Sequence, residues 1–309
     1  MILAYLKLLI VSQLKPNLVN LARMSSSSLS HDQLTRFLNS VDAEKPQLER
    51  ITNPKRLKKG SLLIDDIVVE VPFGRASAGA CWLYSSAKEK VVFGYQMVAL
   101  IWVRGQQRKI IDFRVYEKGS KTKIELALEL LSYARNTLKL KPEQVLFDSW
   151  YASYELLKRI KDYGWYFITQ LRKNRLFEGK TLYSYQNGPY WSRVGHIRGG
   201  IKVFIVKNGK KYFASNRLSL QRREVLELYK IRQNIEETFK QLVFVGLKSC
   251  QARSMKARKN HFWMVILAFA VLERKSRVVG CSVYELKKRA ICGEEVISDA
   301  YLEQLLRAA

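Results

Sequence analysis

Three residues near position 230 have the types and the spacing of a site that handles cations and phosphates. Tyr229, Arg232 and Glu236 occur in the run YKIRQNIEETFK. Because they are three and four residues apart, the spacing predicts that they share one face of an α-helix. A carboxylate beside a guanidinium and an aromatic hydroxyl can hold a metal ion and contact a phosphate in the same place. The alternative is a surface ion-pair ladder, in which Arg232 and Lys240 flank Glu236.

Two further acidic residues lie in apolar runs far upstream. Asp65 belongs to the run LLIDDIVV, and Asp148 follows VLF. A charge inside a predicted central strand is unfavourable unless a cation offsets it, and the neighbouring Asp66 would face the opposite side of the sheet. Asp148 would lie at the carboxyl end of a strand, where ligands bind in open α/β sheets, or would cap the next helix. Ser149 or Ser153 could serve as that cap equally well.

Three carboxylates that are distant in sequence are the ligands expected for phosphodiester chemistry. Cleavage of a phosphodiester requires an activated water and stabilisation of charge on the departing oxygen. Two Mg²⁺ ions held by hard oxygen ligands do both, and no serine, cysteine or histidine nucleophile is then needed. The chain has only three histidines, which is compatible with such a site.

The overall charge favours a polyanionic partner. The 309 residues include 54 Lys and Arg against 27 Asp and Glu, for a formal charge of +27. Nucleic acid is the favoured partner, and an anionic membrane surface or an acidic protein is the alternative. The four cysteines form no CxxC pair, which argues against a zinc site or a disulfide framework and favours a reducing, cytosolic setting.

Two apolar segments require a structural assignment. The first fourteen residues lack a basic cluster ahead of the apolar run and a clear cleavage site, so they are predicted to form an amphipathic helix packed on the protein. The run from Phe262 to Leu272 is too short to span a bilayer and is predicted to be a core helix. No membrane association is expected.

The apolar patterns predict an α/β fold with a mixed sheet flanked by helices. Strands are predicted at 61–71, 91–103, 109–116, up to Asp148, and at 165–170, with helices at 123–134 and 151–162. Residues 173–220 form a β-rich insertion with a hairpin at Asn208-Gly209. The predicted divisions are a helical DNA-binding region (1–55, ending in a linker at 52–56), a catalytic domain in two parts (56–172 and 221–279) around the insertion, and two C-terminal helices (280–309).

These motifs resemble the DDE transposases of bacterial insertion sequences, in the group with a Tyr-x2-Arg-x3-Glu-x6-Lys helix. Tyr229, Arg232 and Glu236 match that helix, and the segments 64–66 and 147–151 are similar to the first two acidic motifs. Residues 113–116, 121–123, 167–175, 251–254 and 259–261 also resemble this group, and the similarity extends from about residue 28 to 275. The motif lysine is replaced by Val243, so Lys240 or Lys248 supplies that charge or the element is weakened.

The resemblance implies a ribonuclease H-like catalytic fold. It also implies a bacterial enzyme that is cytoplasmic and associated with the nucleoid. Asp65, Asp148 and Glu236 would bind two Mg²⁺ ions, with Mn²⁺ as a substitute and Asp66 as the alternative to Asp65. A homodimer would synapse two terminal inverted repeats, nick them with water, and join the freed 3′-hydroxyls to target DNA by a cut-and-paste route through a hairpin.

Basic and aromatic residues are predicted to contact double-stranded DNA through its phosphates. Tyr190 and Trp191 in the insertion either stack on a flipped base or belong to the β core. The predicted phosphate contacts are Tyr229, Arg232, Lys240, Lys248, Arg253, Lys256, Arg172, Lys173 and Arg175, and Arg258 and Lys259 belong to the same basic stretch. Two other functions remain open: a hydrolytic nuclease with the same metal site, and a catalytically decayed copy that still binds DNA.

Overall fold

The computed structural model describes residues 1–25, 29–41, 57, 59–72, 77–185 and 188–307. The predicted linker at 52–56 and most of the polar break at 25–28 lie outside the described residues. Within the described residues, none of the helices combines the length and the hydrophobicity that crossing a bilayer requires.

The described part of the N-terminal region contains three short helices: α1 (Ile2–Val11), α2 (Leu18–Met24) and α3 (His31–Ser40). The predicted serine cap is present, because Ser30 accepts from the backbone N–H of Gln33 and closes a capping box. Asn260 donates its side-chain amide to the carbonyls of Leu38 at 2.8 Å and Val41 at 2.6 Å. The N-terminal helices are therefore joined to the main body of the protein.

The predicted mixed sheet flanked by helices is confirmed. Its first six strands are β1 (Ser61–Glu70), β2 (Cys81–Ser85), β3 (Lys90–Arg104), β4 (Gln107–Tyr116), β5 (Gln144–Phe147) and β6 (Phe167–Leu171), with helices α4 (Lys123–Ser132) and α5 (Tyr154–Asp162) between the later ones. Strand β1 is central, antiparallel to β3 and parallel to β5, and β5 is parallel to β6. The short strand β2, which pairs with β3, was not predicted from the sequence.

The β-rich insertion extends this sheet and does not form a separate layer. Its strands are β7 (Leu176–Phe177), β8 (Lys180–Thr181), β9 (Tyr190–Ile197), β10 (Ile201–Asn208) and β11 (Lys211–Ser215). Strand β11 pairs antiparallel with β6, so the two parts form one sheet in the order β2-β3-β1-β5-β6-β11-β10-β9-β7-β8. The predicted hairpin joins β10 to β11, and Gly209 adopts the positive φ of 60° that this turn requires.

Five helices follow: α6 (Arg222–Lys230), α7 (Gln233–Val245), α8 (Met255–Val279), α9 (Val283–Cys292) and α10 (Asp299–Arg307). The long helix α8 contains the predicted core segment, and Phe262 and Leu272 at its limits are fully buried. The two predicted C-terminal helices correspond to α9 and α10.

The alternation of side chains along β1 decides which residues face which helices. Leu63 and Val69 pack in the cluster that contains α8, whereas Leu62 and Ile64 pack in the cluster that contains α4 and α5. Because side chains alternate between the faces of a strand, Asp65 lies on the α8 side of the sheet and Asp66 on the α4 side.

Acid pH is expected to destabilise the protein through the buried His261. Its Nδ1 contacts the Tyr5 hydroxyl at 2.8 Å and its Nε2 contacts the Gly246 carbonyl at 3.0 Å. Burial, and secondarily Arg258, lower the pKa of His261 to about 4. The unfolded chain therefore binds a proton at His261 near the ordinary pKa of about 6.5, whereas the folded chain does not, so the contribution of His261 to stability falls as the pH decreases from about 6.5 to 4, by up to about 3 kcal/mol.

Urea unfolding measured between pH 7.5 and pH 4.5 checks this expectation. The free energy of unfolding of the wild type minus that of His261→Gln should decrease as the pH falls, and the same difference for the variant of an exposed histidine, His31→Gln, should stay constant. Equal pH dependence in the wild type and His261→Gln would show that His261 is not responsible.

Candidate active site

Asp65 and Asp148 lie on the same face of two neighbouring parallel strands. In the β1–β5 register, Ile64 pairs with Phe147, so each aspartate directly follows a paired residue. Leu146 packs on the α8 side and Phe147 on the opposite side, which places Asp148 on the α8 side together with Asp65. Strand β5 ends at Phe147, so the Asp148 carboxylate lies at the carboxyl end of β5, near the Asp65 carboxylate on β1.

The Asp148 carboxylate is held by the turn that follows it. Its Oδ1 accepts from the backbone N–H of Trp150 at 2.9 Å and of Tyr151 at 3.3 Å. The cap of helix α5 is Ser153, which accepts from Leu156 N–H at 3.2 Å. The alternative assignment of Asp148 as a helix cap is therefore wrong, and its second oxygen is not needed for the turn.

The electrostatic environment of Asp65 favours a cation. Burial, and then the nearby charges of Asp148 and Asp66, raise the pKa of Asp65 to about 7, and Arg232 opposes this shift. The Arg232 Nη1 lies 2.9 Å from the Asp65 Oδ2. Two carboxylates that disfavour each other's charge create a place where a positive ion is stabilised.

The predicted single helix through Tyr229, Arg232 and Glu236 is wrong. Helix α6 ends at Lys230 and α7 begins at Gln233. Between them, the N–H of Arg232 donates to the Tyr229 carbonyl and the N–H of Ile235 to the Arg232 carbonyl, both at 3.0 Å. These i to i−3 hydrogen bonds form a tight 3₁₀-type turn that separates the two helices. Arg232 still lies 5.8 Å from the centre of the Tyr229 ring.

Arg232 forms ion pairs with both Glu236 and Asp65. Its Nη1 pairs with Asp65, and its Nη2 donates to the Glu236 Oε1. Glu236 is half exposed and forms an ion pair with Arg232. Of the alternative ladder, in which Arg232 and Lys240 both pair with Glu236, the structure therefore contains the Arg232 pair. In the part of the chain that the structure describes, no three acidic, histidine or cysteine side chains are arranged as a ready metal cluster.

Asp66 belongs to a different network on the α4 side. It lies 3.0 Å from Lys123 Nζ, accepts from the Tyr151 hydroxyl at 2.7 Å, and also accepts from the Gln96 amide. These three donors satisfy its carboxylate. Asp65 and not Asp66 therefore shares a face with Asp148.

The donor set of Asp65 and Asp148 fits a divalent ion such as Mg²⁺. Both groups are hard oxygen ligands, and the charges of Asp148 and Asp66 disfavour the charged form of Asp65, which a cation beside the carboxylates would offset. Glu236 fits the same role only when its carboxylate is released from Arg232, because the guanidinium now engages it.

A cavity of about 360 Å³ adjoins Asp148 and combines an aromatic ring with three arginines. Trp150 is 40% exposed there, and Lys123 Nζ lies 3.7 Å from the centre of its ring. Arg172 and Arg175, which were predicted to contact DNA, line this cavity together with Arg198 from the β9–β10 turn. Neither Trp150 nor Arg198 was predicted to have a role, although Trp150 lies two residues after the acidic motif residue Asp148.

Most other predicted DNA contacts lie on exposed surface, which leaves their role a prediction. Lys173, Lys240, Lys248, Arg253 and Lys256 are exposed.

Three of the residues considered for DNA contact or base stacking have structural neighbours. Arg258 is 1% exposed and donates to the carbonyls of Cys250 and Ala252, so its assignment to the DNA-binding surface is wrong. Lys259 pairs with Glu117 at 3.1 Å. Trp191 is buried and packs between Tyr185 and Tyr212, so it belongs to the β core.

Near the motif-lysine position, Lys240 and Lys248 are exposed and Val243 is partly exposed. Lys248 has Lys88 and Glu70 as its charged neighbours, which places it beside the far end of β1 and not beside Glu236. Lys240 lies one turn after Glu236 on α7, so it is the better placed of the two lysines.

Comparison with known proteins identifies the family and a similar fold. Residues 57–271, more than half of the chain, match the family described as the transposase DDE domain. A cryo-EM structure of a piggyBac transposase synaptic complex with hairpin DNA shares the fold, with a TM-score of 0.61 at 14% identity, over 99% of this chain and 75% of that one. Among curated proteins there is no match. The chain belongs to the transposase DDE domain family.

Proposed function

We propose that this DNA transposase cleaves DNA at the ends of its own mobile element with divalent metal ions and joins the freed 3′-hydroxyls to target DNA. The observation that carries the proposal is the pair Asp65 and Asp148 on one face of neighbouring parallel strands, with Arg232 and Glu236 beside them. This arrangement gives hard oxygen ligands and a phosphate-binding group in one place.

Asp65 and Asp148 would hold the first ion, and Glu236 would complete the site. When bound, two divalent ions supply an activated oxygen nucleophile and offset the charge on the leaving oxygen. The backbone N–H groups of Trp150 and Tyr151 keep the Asp148 carboxylate in position during this chemistry.

Arg232 and Tyr229 would act on the phosphates of the DNA end. Cations at the carboxylates would offset the charges that Arg232 now neutralises, and its guanidinium would then be available for a phosphate. Burial is the main cause that raises the pKa of Tyr229 to about 12, so its hydroxyl stays protonated at neutral pH and can donate a hydrogen bond.

The proposed partners are double-stranded DNA and a second copy of the chain. The neighbouring piggyBac structure is described as a synaptic complex with hairpin DNA, which supports a paired-end assembly and a hairpin intermediate here. Terminal inverted repeats, a cut-and-paste route and origin in a bacterial insertion sequence are parts of the same proposal, as is DNA binding by the helical region 1–55.

The cavity beside Asp148 is proposed to take an unpaired nucleotide next to the cleaved bond. The exposed Trp150 ring offers a stacking surface, and Arg172, Arg175 and Arg198 surround it with positive charge. Trp150→Ala is expected to weaken binding of hairpin-ended DNA by about tenfold, the effect of one lost base–aromatic stack. Fluorescence anisotropy measures this, with the exposed Trp82→Ala as the matched control. Equal affinities for the two variants would argue against the stacking role.

Incubation of the purified protein with Mg²⁺ and labelled terminal-repeat DNA distinguishes the candidate activities. Joined products support the transposase proposal, and cleavage without joining supports a hydrolytic nuclease. Binding without cleavage would support a decayed copy, which is kept as a second candidate because Val243 replaces the motif lysine.

A further inference from the structure

A second basic cavity lies away from the carboxylates, between the start of β4 and the C-terminal half of α8. It measures about 230 Å³, and we refer to it as the hairpin cleft. In the sheet register, Asp65 pairs with Ala99 of β3, whereas the cleft residues 107–110 of β4 pair with residues 104–101 of β3. The cleft therefore lies two strands away from Asp65 and two to five residues further along the sheet, at about 3.3 Å per residue. The cleft is lined by Gln107, Arg108, Lys109, Ile110, Ile266, Phe269, Ala270, Glu273, Arg274 and Arg277.

The lining contains four cationic side chains and one carboxylate. That carboxylate, Glu273, is 4% exposed and already engaged: it accepts from Arg108 N–H at 3.2 Å and pairs with Arg277 Nε at 3.2 Å. The contact with Arg108 attaches the β3–β4 hairpin to α8, and the i,i+4 pair with Arg277 lies within α8, so both contacts have a structural role. They do not account for Arg274, which is exposed and makes no ion pair with a carboxylate among the described residues.

The positive charges in the hairpin cleft are close enough to disfavour one another. Burial, and then the nearby Arg277 and Arg274, lower the pKa of Lys109, and Glu273 only partly opposes this. The lining thus has more cationic side chains than carboxylates, next to the apolar residues Ile266 and Phe269. A bound anion would relieve this repulsion in the same way that a cation relieves the repulsion between Asp65 and Asp148.

We infer that the hairpin cleft is a second binding site for the phosphate backbone of duplex DNA, separate from the catalytic pocket. Arginine and lysine side chains in a concave surface are the usual contacts to backbone phosphates, and such contacts carry no sequence information. The choice of DNA as the anion rests on the proposed function. The cleft would hold a stretch of duplex away from the phosphodiester on which the carboxylates act.

The test is the salt dependence of binding to a long duplex of unrelated sequence, measured without divalent metal. The double variant Arg108→Gln/Arg274→Gln leaves Glu273, Arg277 and the Arg108 backbone in place, and Arg274→Gln alone serves as a milder change. Each lost phosphate contact should lower the slope of log K against log salt concentration by about 0.9, so the double variant should lose about 1.8 and bind about tenfold more weakly at low salt. The control Lys158→Gln/Lys161→Gln removes the same charge from exposed positions of α5 on the other side of the sheet.

A slope for the cleft variant equal to that of the wild type, or a loss no greater than that of the α5 control, would overturn the inference. Thermal unfolding of each variant identifies misfolding. If the double variant is misfolded, the salt slope of Arg274→Gln alone decides whether the cleft binds DNA. Failure of the proposed function is recognised separately: a wild type that does not cleave with Mg²⁺ refutes the catalytic proposal, while the salt slope still decides the role of the cleft.

Discussion

Asp148→Asn is expected to lower the rate of cleavage of end DNA by about a thousandfold, because removing one ligand charge from a metal site costs several kcal/mol of transition-state stabilisation. Asparagine retains an Oδ1 acceptor for the N–H groups of Trp150 and Tyr151, so the turn after β5 should keep its shape. The loss should therefore appear in the cleavage rate and not in end binding. Single-turnover cleavage of labelled end DNA and anisotropy measure the two quantities.

The matched comparison uses the two adjacent aspartates of β1. Asp65→Asn should cause a loss as large as that of Asp148→Asn, because both carboxylates lie on the α8 side. Asp66→Asn should cause a loss of less than about tenfold, because its contacts are with Lys123, Tyr151 and Gln96 on the other side. Full cleavage by Asp148→Asn, or a larger loss for Asp66→Asn than for Asp65→Asn, would contradict the assignment of the site.

Arg232→Gln is expected to destabilise the metal-free protein by about 2 kcal/mol. The guanidinium pairs with Asp65 and Glu236 while only 17% of the Arg232 side chain is exposed. Without it, the carboxylates of Asp65 and Asp148 face each other with no offsetting charge. Breaking a fully buried pair costs about 3–5 kcal/mol, and the half exposure of Glu236 reduces this value.

Urea unfolding with and without Mg²⁺ measures the role of Arg232 directly. Millimolar Mg²⁺ should restore part of the stability lost in Arg232→Gln, because a cation between the carboxylates replaces the lost positive charge. The control Arg223→Gln removes an exposed arginine from α6 and should change the free energy of unfolding by less than about 0.5 kcal/mol. Equal stability of Arg232→Gln and Arg223→Gln would show that Arg232 does not neutralise the aspartates.

The sequence was sufficient to predict the sheet and the opposite faces of Asp65 and Asp66, for a simple physical reason, whereas the choice of Asp65 as the partner of Asp148 came from the family resemblance. Strand residues alternate between two faces, so the apolar run around Asp65 and Asp66 assigns the two aspartates to opposite sides before any coordinates are known. The end of the apolar run at Asp148 likewise indicated a position at the carboxyl end of a strand, where ligands bind in open α/β sheets. Both inferences depend only on local periodicity.

The features that sequence analysis missed depend on contacts between distant segments. The spacing of Tyr229 and Glu236 fits a continuous helix, and nothing local signals the turn at Arg232, whose side chain is held by Asp65 on β1. Charge alone likewise did not reveal that Arg258 is buried against loop carbonyls. The cavity beside Asp148 needs Arg198 from the insertion, and pairing of β11 with β6 brings that insertion to the site.

The most direct test is a structure of the protein with end DNA and Mn²⁺, in which anomalous scattering locates the ions. The predicted result is a peak about 2.0–2.2 Å from carboxylate oxygens of both Asp65 and Asp148, with Glu236 turned from Arg232 toward the ions and Arg232 on a phosphate. A peak bound by Asp66, or ions that contact neither Asp65 nor Asp148, would contradict the proposed site.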